Sequence, residues 1–107
     1  MKNLNIMIYV AEMSKTISKK IEEIGRCASV ESAKTRMTYA VGLVDSLVTM
    51  SNIMVCTENN DITDMLGELE DNFMFDIYQA MVSLAASLDD EEALKKYAKL
   101  RDEYPLP

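Results

Sequence analysis

An all-α fold, an antiparallel up-and-down bundle of three long helices and a short C-terminal fourth, follows from three observations. Apolar residues recur at a mean spacing of about 3.6 through three long segments. Only three glycines and two prolines interrupt the 107 residues. The segments are joined by loops of about 4–6 residues, which force successive helices to run antiparallel.

The first helix runs from about Asn3 to Ile24, with Ile6, Val10, Met13, Ile17, Ile21 and Ile24 on one face. Gly25 stands where a left-handed C-terminal cap is expected. The opening LNIMIYV could be read as a strand, but no partner strand exists elsewhere. The second helix opens at Ser29, an N-cap with Glu31 in the first turn, and runs to about Val55. Its seam is Ala33, Met37, Ala40, Val44, Leu47, Ser51 and Met54, widened by Val41, Val48 and Val55. The opposite side carries Thr35, Thr38, Gly42, Asp45 and Thr49, flanked by Glu31 and Asn52 at the same heptad spacing. A solvated face normally carries Lys, Glu and Arg. This small, nearly neutral stripe is either a weakly polar exposed face or a contact with another helix, of this chain or of a second subunit.

The loop TENND leads to the third helix, with Asp61 as N-cap and Asp64 three residues on in the manner of a capping box. Ile62, Leu66, Leu69, Phe73, Ile77, Ala80, Leu84 and Leu88 form its inner stripe. A second stripe of Met74, Tyr78, Met81 and Ala85 broadens the buried arc of its C-terminal half. The fourth helix begins at Asp89 or Asp90, with Glu91 and Glu92 at its positive end and Lys95, Lys96, Lys99 and Arg101 toward its negative end. It turns Leu94, Tyr97 and Tyr104 inward, and Pro105-Leu106-Pro107 stops it.

The length suits one domain, residues 1–107, whose own core leaves a thin stability margin; self-association is therefore expected. The chain has no histidine, which excludes His-based acid–base catalysis, Ser–His and Cys–His nucleophile pairs and nearly every catalytic zinc site. Cys27 and Cys56 stand at opposite ends of the second helix. At ~1.5 Å per residue they are ~35–40 Å apart, beyond the reach of an intramolecular disulfide. Reduced thiols and the lack of a secretory signal point to the cytoplasm. Met37 to Thr57 is the nearest thing to a membrane span, yet Asp45, Thr38, Ser46, Thr49, Ser51 and Asn52 make it too polar for lipid.

Charge is segregated along the chain. Residues 1–36 hold seven basic and four acidic groups, residues 37–94 hold twelve acidic groups and no lysine or arginine, and the whole stands at −7. Within the acidic block Asp61, Asp64, Glu68 and Asp71 fall within about 80° of helical arc. They form either a solvated face or an anionic surface that docks on a basic partner. Carboxylates at this spacing could also share magnesium, but as a calcium loop the segment fails, with Thr63, Met65 and Asn72 at ligand positions. Nor is the carboxylate pattern of the helical, magnesium-dependent nucleotide pyrophosphohydrolases completed, because Arg26 stands where the third glutamate after Glu22-Glu23 belongs. Lys15, Lys19, Lys20, Arg26, Lys34 and Arg36 flank the first turn without interleaved aromatic residues. They are expected to face the acidic half, within the monomer or across a dimer.

These features point to a non-enzymatic interaction or regulatory protein with no catalytic residue, metal or cofactor. Its acidic face, Asp61, Asp64, Glu68 and Asp71, would bind a protein partner. Direct nucleic-acid and membrane contact are not expected. Adaptors, inhibitors of nucleic-acid-handling machines and immunity-type proteins, phage-encoded ones among them, have this size and charge. The alternative is a small-molecule or nucleotide binder, a degenerate magnesium enzyme included, with its site between helices or subunits.

Overall fold

The computed structural model describes the backbone of residues 2–55 and 60–104 and the side chains of residues 5–53 and 62–104. These residues form four α-helices and no strand: α1 (Lys2–Gly25), α2 (Val30–Val55), α3 (Asn60–Ser87) and α4 (Glu91–Arg101). Helix α1 packs on α2 and α3, α2 also packs on α3, and α4 folds back along α3. The result is an up-and-down helical bundle of 49 × 23 × 16 Å. At ~1.5 Å per residue α4 is ~16 Å long against ~42 Å for α3, so it covers only part of α3. Arg101 Nη1 donates to Gln79 Oε1 at 3.0 Å, and the Tyr104 ring stacks on Tyr78 with centroids 6.1 Å apart. These two contacts place α4 on the C-terminal half of α3, over the second stripe of that helix.

The helix ends show local chemistry setting the boundaries. Ser29 caps α2: its Oγ accepts from Ser32 N at 3.1 Å and its carbonyl from Ala33 N. Asp90 caps α4, its carboxylate accepting from Ala93 N at 3.0 Å. Two expectations fail here. Gly25 is the last residue of α1 and has no positive φ; i→i+3 bonds from Arg26 N to Glu23 O and Cys27 N to Ile24 O tighten the final turn instead. The left-handed residue is Asp89, with φ 55°, where Asp90 N donates to Ala85 O and Asp89 N to Ala86 O in a Schellman closure of α3. Asp tolerates this conformation better than most residues because its short polar side chain bonds locally. Helix α3 begins at Asn60, so Asp61 stands inside it rather than as its cap. Helix α4 ends at Arg101, ahead of Tyr104, which still turns inward through its ring contact.

The core joins all four helices: Ile6, Val10, Ile17 and Ile24 from α1, Ala33, Ala40, Val44 and Leu47 from α2, Ile62, Leu66, Phe73, Ile77, Met81 and Leu84 from α3, and Ala93 and Tyr97 from α4. Leu69, Met13, Met37 and Leu94 are only half-buried, and Leu88, placed inward by the periodicity, is exposed because it falls in the turn that closes α3. Met54 lies outside the described side chains.

Ser51 is the exception on the α2 seam. It is fully buried, and its hydroxyl has no hydrogen-bond partner among the described residues. A desolvated hydroxyl without a partner opposes folding. Ser51→Ala should therefore raise the stability by about 1 kcal/mol in urea denaturation. Ile17→Ala, which empties a fully buried site, should lower it by about 2–5 kcal/mol.

Candidate functional site

Asp64, Glu68 and Asp71 are exposed on the N-terminal half of α3, the half that α4 leaves uncovered. None of them is in an ion pair or side-chain hydrogen bond among the described residues. The Asp61 side chain lies outside those residues. Along a helix, carboxylates three and four residues apart repel one another, so this stripe costs stability and has no compensating cation beside it.

Five of the six basic residues around the first turn are engaged elsewhere. Lys15 pairs with Glu12, Lys20 with Glu23, Arg26 with Glu22, Lys34 with Glu31 and Arg36 with Glu23. Every partner belongs to the first 36 residues. No ion pair joins the basic group to the acidic half among the described residues, although Lys34 shares a groove with Asp90 and Glu92 of that half. Local spacing of three or four residues gave each of these lysines a nearer carboxylate.

The pair between Glu23 and Arg36 joins α1 to α2, at 2.7 Å. Lys20 completes it: its Nζ is 3.1 Å from Glu23 and 5.3 Å from the centre of the Tyr39 ring. Residues 23 and 36, like 20 and 39, are equally distant from the α1–α2 turn, so an antiparallel hairpin brings each pair level. Lys20, Ser32, Thr35, Arg36 and Tyr39 line an open groove of about 590 Å³. Sequence reasoning missed this assembly, whose signal is that equidistance from the turn. A second groove of about 440 Å³ lies between the starts of α2 and α4, with Glu31, Lys34, Asp90, Glu92, Lys96 and Tyr97 among its walls.

The small stripe of α2 is uncovered. Thr35, Thr38, Gly42, Asp45 and Thr49 are all exposed, and a Cβ added at Gly42 would meet nothing within 4 Å. Contact with another helix of this chain, one of the two contacts expected, is thereby excluded among the described residues.

The titratable groups show no acid–base pair. Asp76 on α3 has its pKa raised by desolvation alone, with no second titratable group contributing. The Tyr78 hydroxyl is pushed up by desolvation and then by Tyr104, Glu103 and Tyr97. Cys27 is a half-buried free thiol whose Sγ donates to the Glu23 carbonyl at 3.3 Å. The helix after it is unbroken from Val30 to Val55, and Cys56 lies outside the described residues. Among the described residues no three carboxylates or thiols come together to hold a metal ion, and no helix is long and apolar enough to cross a membrane.

No protein-family model matches the chain, and no curated protein or solved structure shows a significant similarity to it.

Glu23 provides a pH test of the hairpin. The hydrogen bond from Lys20 and the charges of Lys20, Arg36 and Lys19 hold its carboxyl below the ordinary 4.5. A depressed folded-state pKa adds stability above the unfolded value, and that contribution is lost as pH falls through the folded one. NMR titration should find Glu23 protonating below the ordinary value of 4.5. Lys20→Ala should move it back toward 4.5, and Arg36→Ala should do so by less.

Proposed function

We propose that this protein is a non-enzymatic interaction module that docks on a basic macromolecular partner through the uncovered half of α3. The single observation that supports this reading most is the absence of any cation beside Asp64, Glu68 and Asp71 among the described residues, although the chain holds eleven lysines and arginines. An exposed row of like charges is unfavourable in the free protein. A partner that supplies the missing cations relieves that repulsion and steers its own approach. An adaptor, an inhibitor or an immunity-type protein would use such a face in the same physical way.

The test compares the native chain with a triple variant, Asp64→Lys, Glu68→Lys and Asp71→Lys, in affinity capture from native cell lysate. The native chain should retain a partner at low salt and release it at high salt. The variant should bind that partner about tenfold or more weakly, with a flatter salt dependence. Circular dichroism should find it as helical as the native chain, since the substitutions remove repulsion from an exposed surface. Equal retention by both chains rules the proposal out.

A second reading, a small-molecule or nucleotide binder, draws support from the groove of about 590 Å³, whose size, paired cations and aromatic ring suit an anion with an aromatic part. The Glu23 carboxylate that already engages both cations counts against it. Mg²⁺ and nucleotides at millimolar concentration should leave the melting temperature unchanged, whereas a rise of several degrees would favour this reading over the first.

A further inference from the structure

The outer side of α2 is small and nearly uncharged, with three large apolar side chains exposed among the described residues. Tyr39, Met50 and Ile53 are 55, 45 and 59% exposed, all on this one helix. Between Met37 and Val55 the only charge on α2 is Asp45. A helix this poor in charge on its outer side is ordinarily buried by something. The geometry points to a second copy of the same chain as its cover, with the two α2 helices antiparallel and crossing at Gly42.

Self-complementarity carries this inference. Taking about 100° per residue from Gly42, Ser32, Thr35, Tyr39, Ser46, Met50 and Ile53 lie within about 80° on one side. Lys34, Thr38, Asp45, Thr49 and Asn52 lie within about 80° on the other. A two-fold axis at Gly42 sets each flank against the same flank of the partner copy and brings residue 42 − n level with residue 42 + n. Met50 of one copy then stands level with Lys34, on the flank that carries Ser32, Thr35 and Tyr39 of the other. Its side chain enters the groove that Lys20, Ser32, Thr35, Arg36 and Tyr39 line. The knob and its hole belong to the same surface, and the two-fold uses each of them twice.

Charge agrees with this register. On the other flank the lone Asp45 comes level with residue 39 of the partner copy, beside the Thr38 hydroxyl and about 7.5 Å along the axis from Lys34. A lysine side chain spans most of that distance. Among the described residues the one ion pair of Lys34 is an exposed contact of 3.8 Å with Glu31, which is worth little, and Asp90 and Glu92 line the same groove without pairing with it. The two Asp45 carboxylates are about 9 Å apart along the axis, so they do not oppose one another directly. At the crossing point Gly42 presents no side chain, and the threonines on either side are small enough for the helices to approach closely. This surface is independent of the acidic face of α3, and the variants that test it are different.

Sedimentation velocity between about 1 and 100 µM should show monomer converting to dimer by mass action. Gly42→Glu places two carboxylates at the crossing and should raise the dimer dissociation constant at least about tenfold. Its monomer should remain helical, because a side chain at Gly42 meets nothing in its own chain. Lys34→Asp and Asp45→Lys should each weaken the dimer, and the two together should restore it. With Cys27→Ser and Cys56→Ser as background, Gly42→Cys should cross-link to its own copy on oxidation, and Glu92→Cys should not. A helical monomer throughout that concentration range overturns the proposal. So does a dimer indifferent to Gly42→Glu, or one in which residue 42 fails to cross-link.

Discussion

Helix α2 can be enclosed between α1 and α3 because the side chains it turns toward them are small. Ala33, Ala40 and Ser51 share that face with Val44 and Leu47, while α1 contributes isoleucine and valine and α3 contributes Phe73, Ile77 and Met81. Large against small lets the layers interdigitate at the density of a protein interior. Close approach at the core also fixes what meets at the rim. The Glu23–Arg36 contact and the placing of Lys20 over Tyr39 both require α1 and α2 to be near neighbours along the upper half of their length. The buried Ser51 hydroxyl fits the same requirement: a small residue is needed at that level of the seam, and serine satisfies the volume at the expense of an unpaired polar atom.

The electrostatic pattern follows from spacing rather than from net charge. Lys15, Lys20, Arg26 and Lys34 each have a glutamate three or four positions away in the chain, and Arg36 has one level with it across the hairpin. A pairing across the bundle would have had to compete with contacts that the helix makes locally at no cost in loop closure. The acidic block contains no lysine or arginine, so it has no such local recourse. Segregation in the sequence thus becomes segregation in space. The first 36 residues, with seven basic groups against four acidic ones, keep a positive surplus, and the N-terminal half of α3 is left anionic. Exposed pairs of this kind add only about 0.2–1 kcal/mol each. They decide where charge is left over much more than they decide whether the chain folds.

Much of this architecture is legible in the sequence, and the reasons separate what was legible from what was not. The seams of α1 to α3 could be read because burial of one face imposes a period that few other arrangements share. Ser29 and Asp90 could be read as caps because their side chains bond to an amide three residues on, a purely local matter. Gly25 misled because a helix can also close through i→i+3 bonds, and the choice between the two closures depends on where the next helix must go. Asp89 took the left-handed position for the same reason, its short polar side chain making that conformation tolerable. Leu88 kept the period of α3 but fell in the turn, where period no longer implies burial. The uncovered state of Thr35, Thr38, Gly42, Asp45 and Thr49 was beyond the pattern altogether. A small neutral stripe reads alike whether a neighbouring helix, a second copy or water lies against it.

The position of α4 decides which part of α3 stays exposed. This helix packs on the C-terminal half of α3 through Arg101 on Gln79 and Tyr104 on Tyr78, along the stripe in which Met74 and Met81 are buried. The N-terminal half needs no such cover, because its outer side is carboxylate rather than methionine. Helix α4 therefore divides α3 into a part that completes the fold and a part that faces outward with charge. Helix α2 receives no equivalent cover, although between Met37 and Val55 its outer side is nearly as poor in charge as the C-terminal half of α3. The two outward surfaces thus differ in kind: one is charged, with a long-ranged and salt-sensitive field, and the other is small, apolar and short-ranged. A pair of chains joined through the second surface would carry the first twice. Two weak anionic contacts on one rigid body bind a repeating or paired basic target far more tightly than either does alone, through effective concentration rather than new contacts.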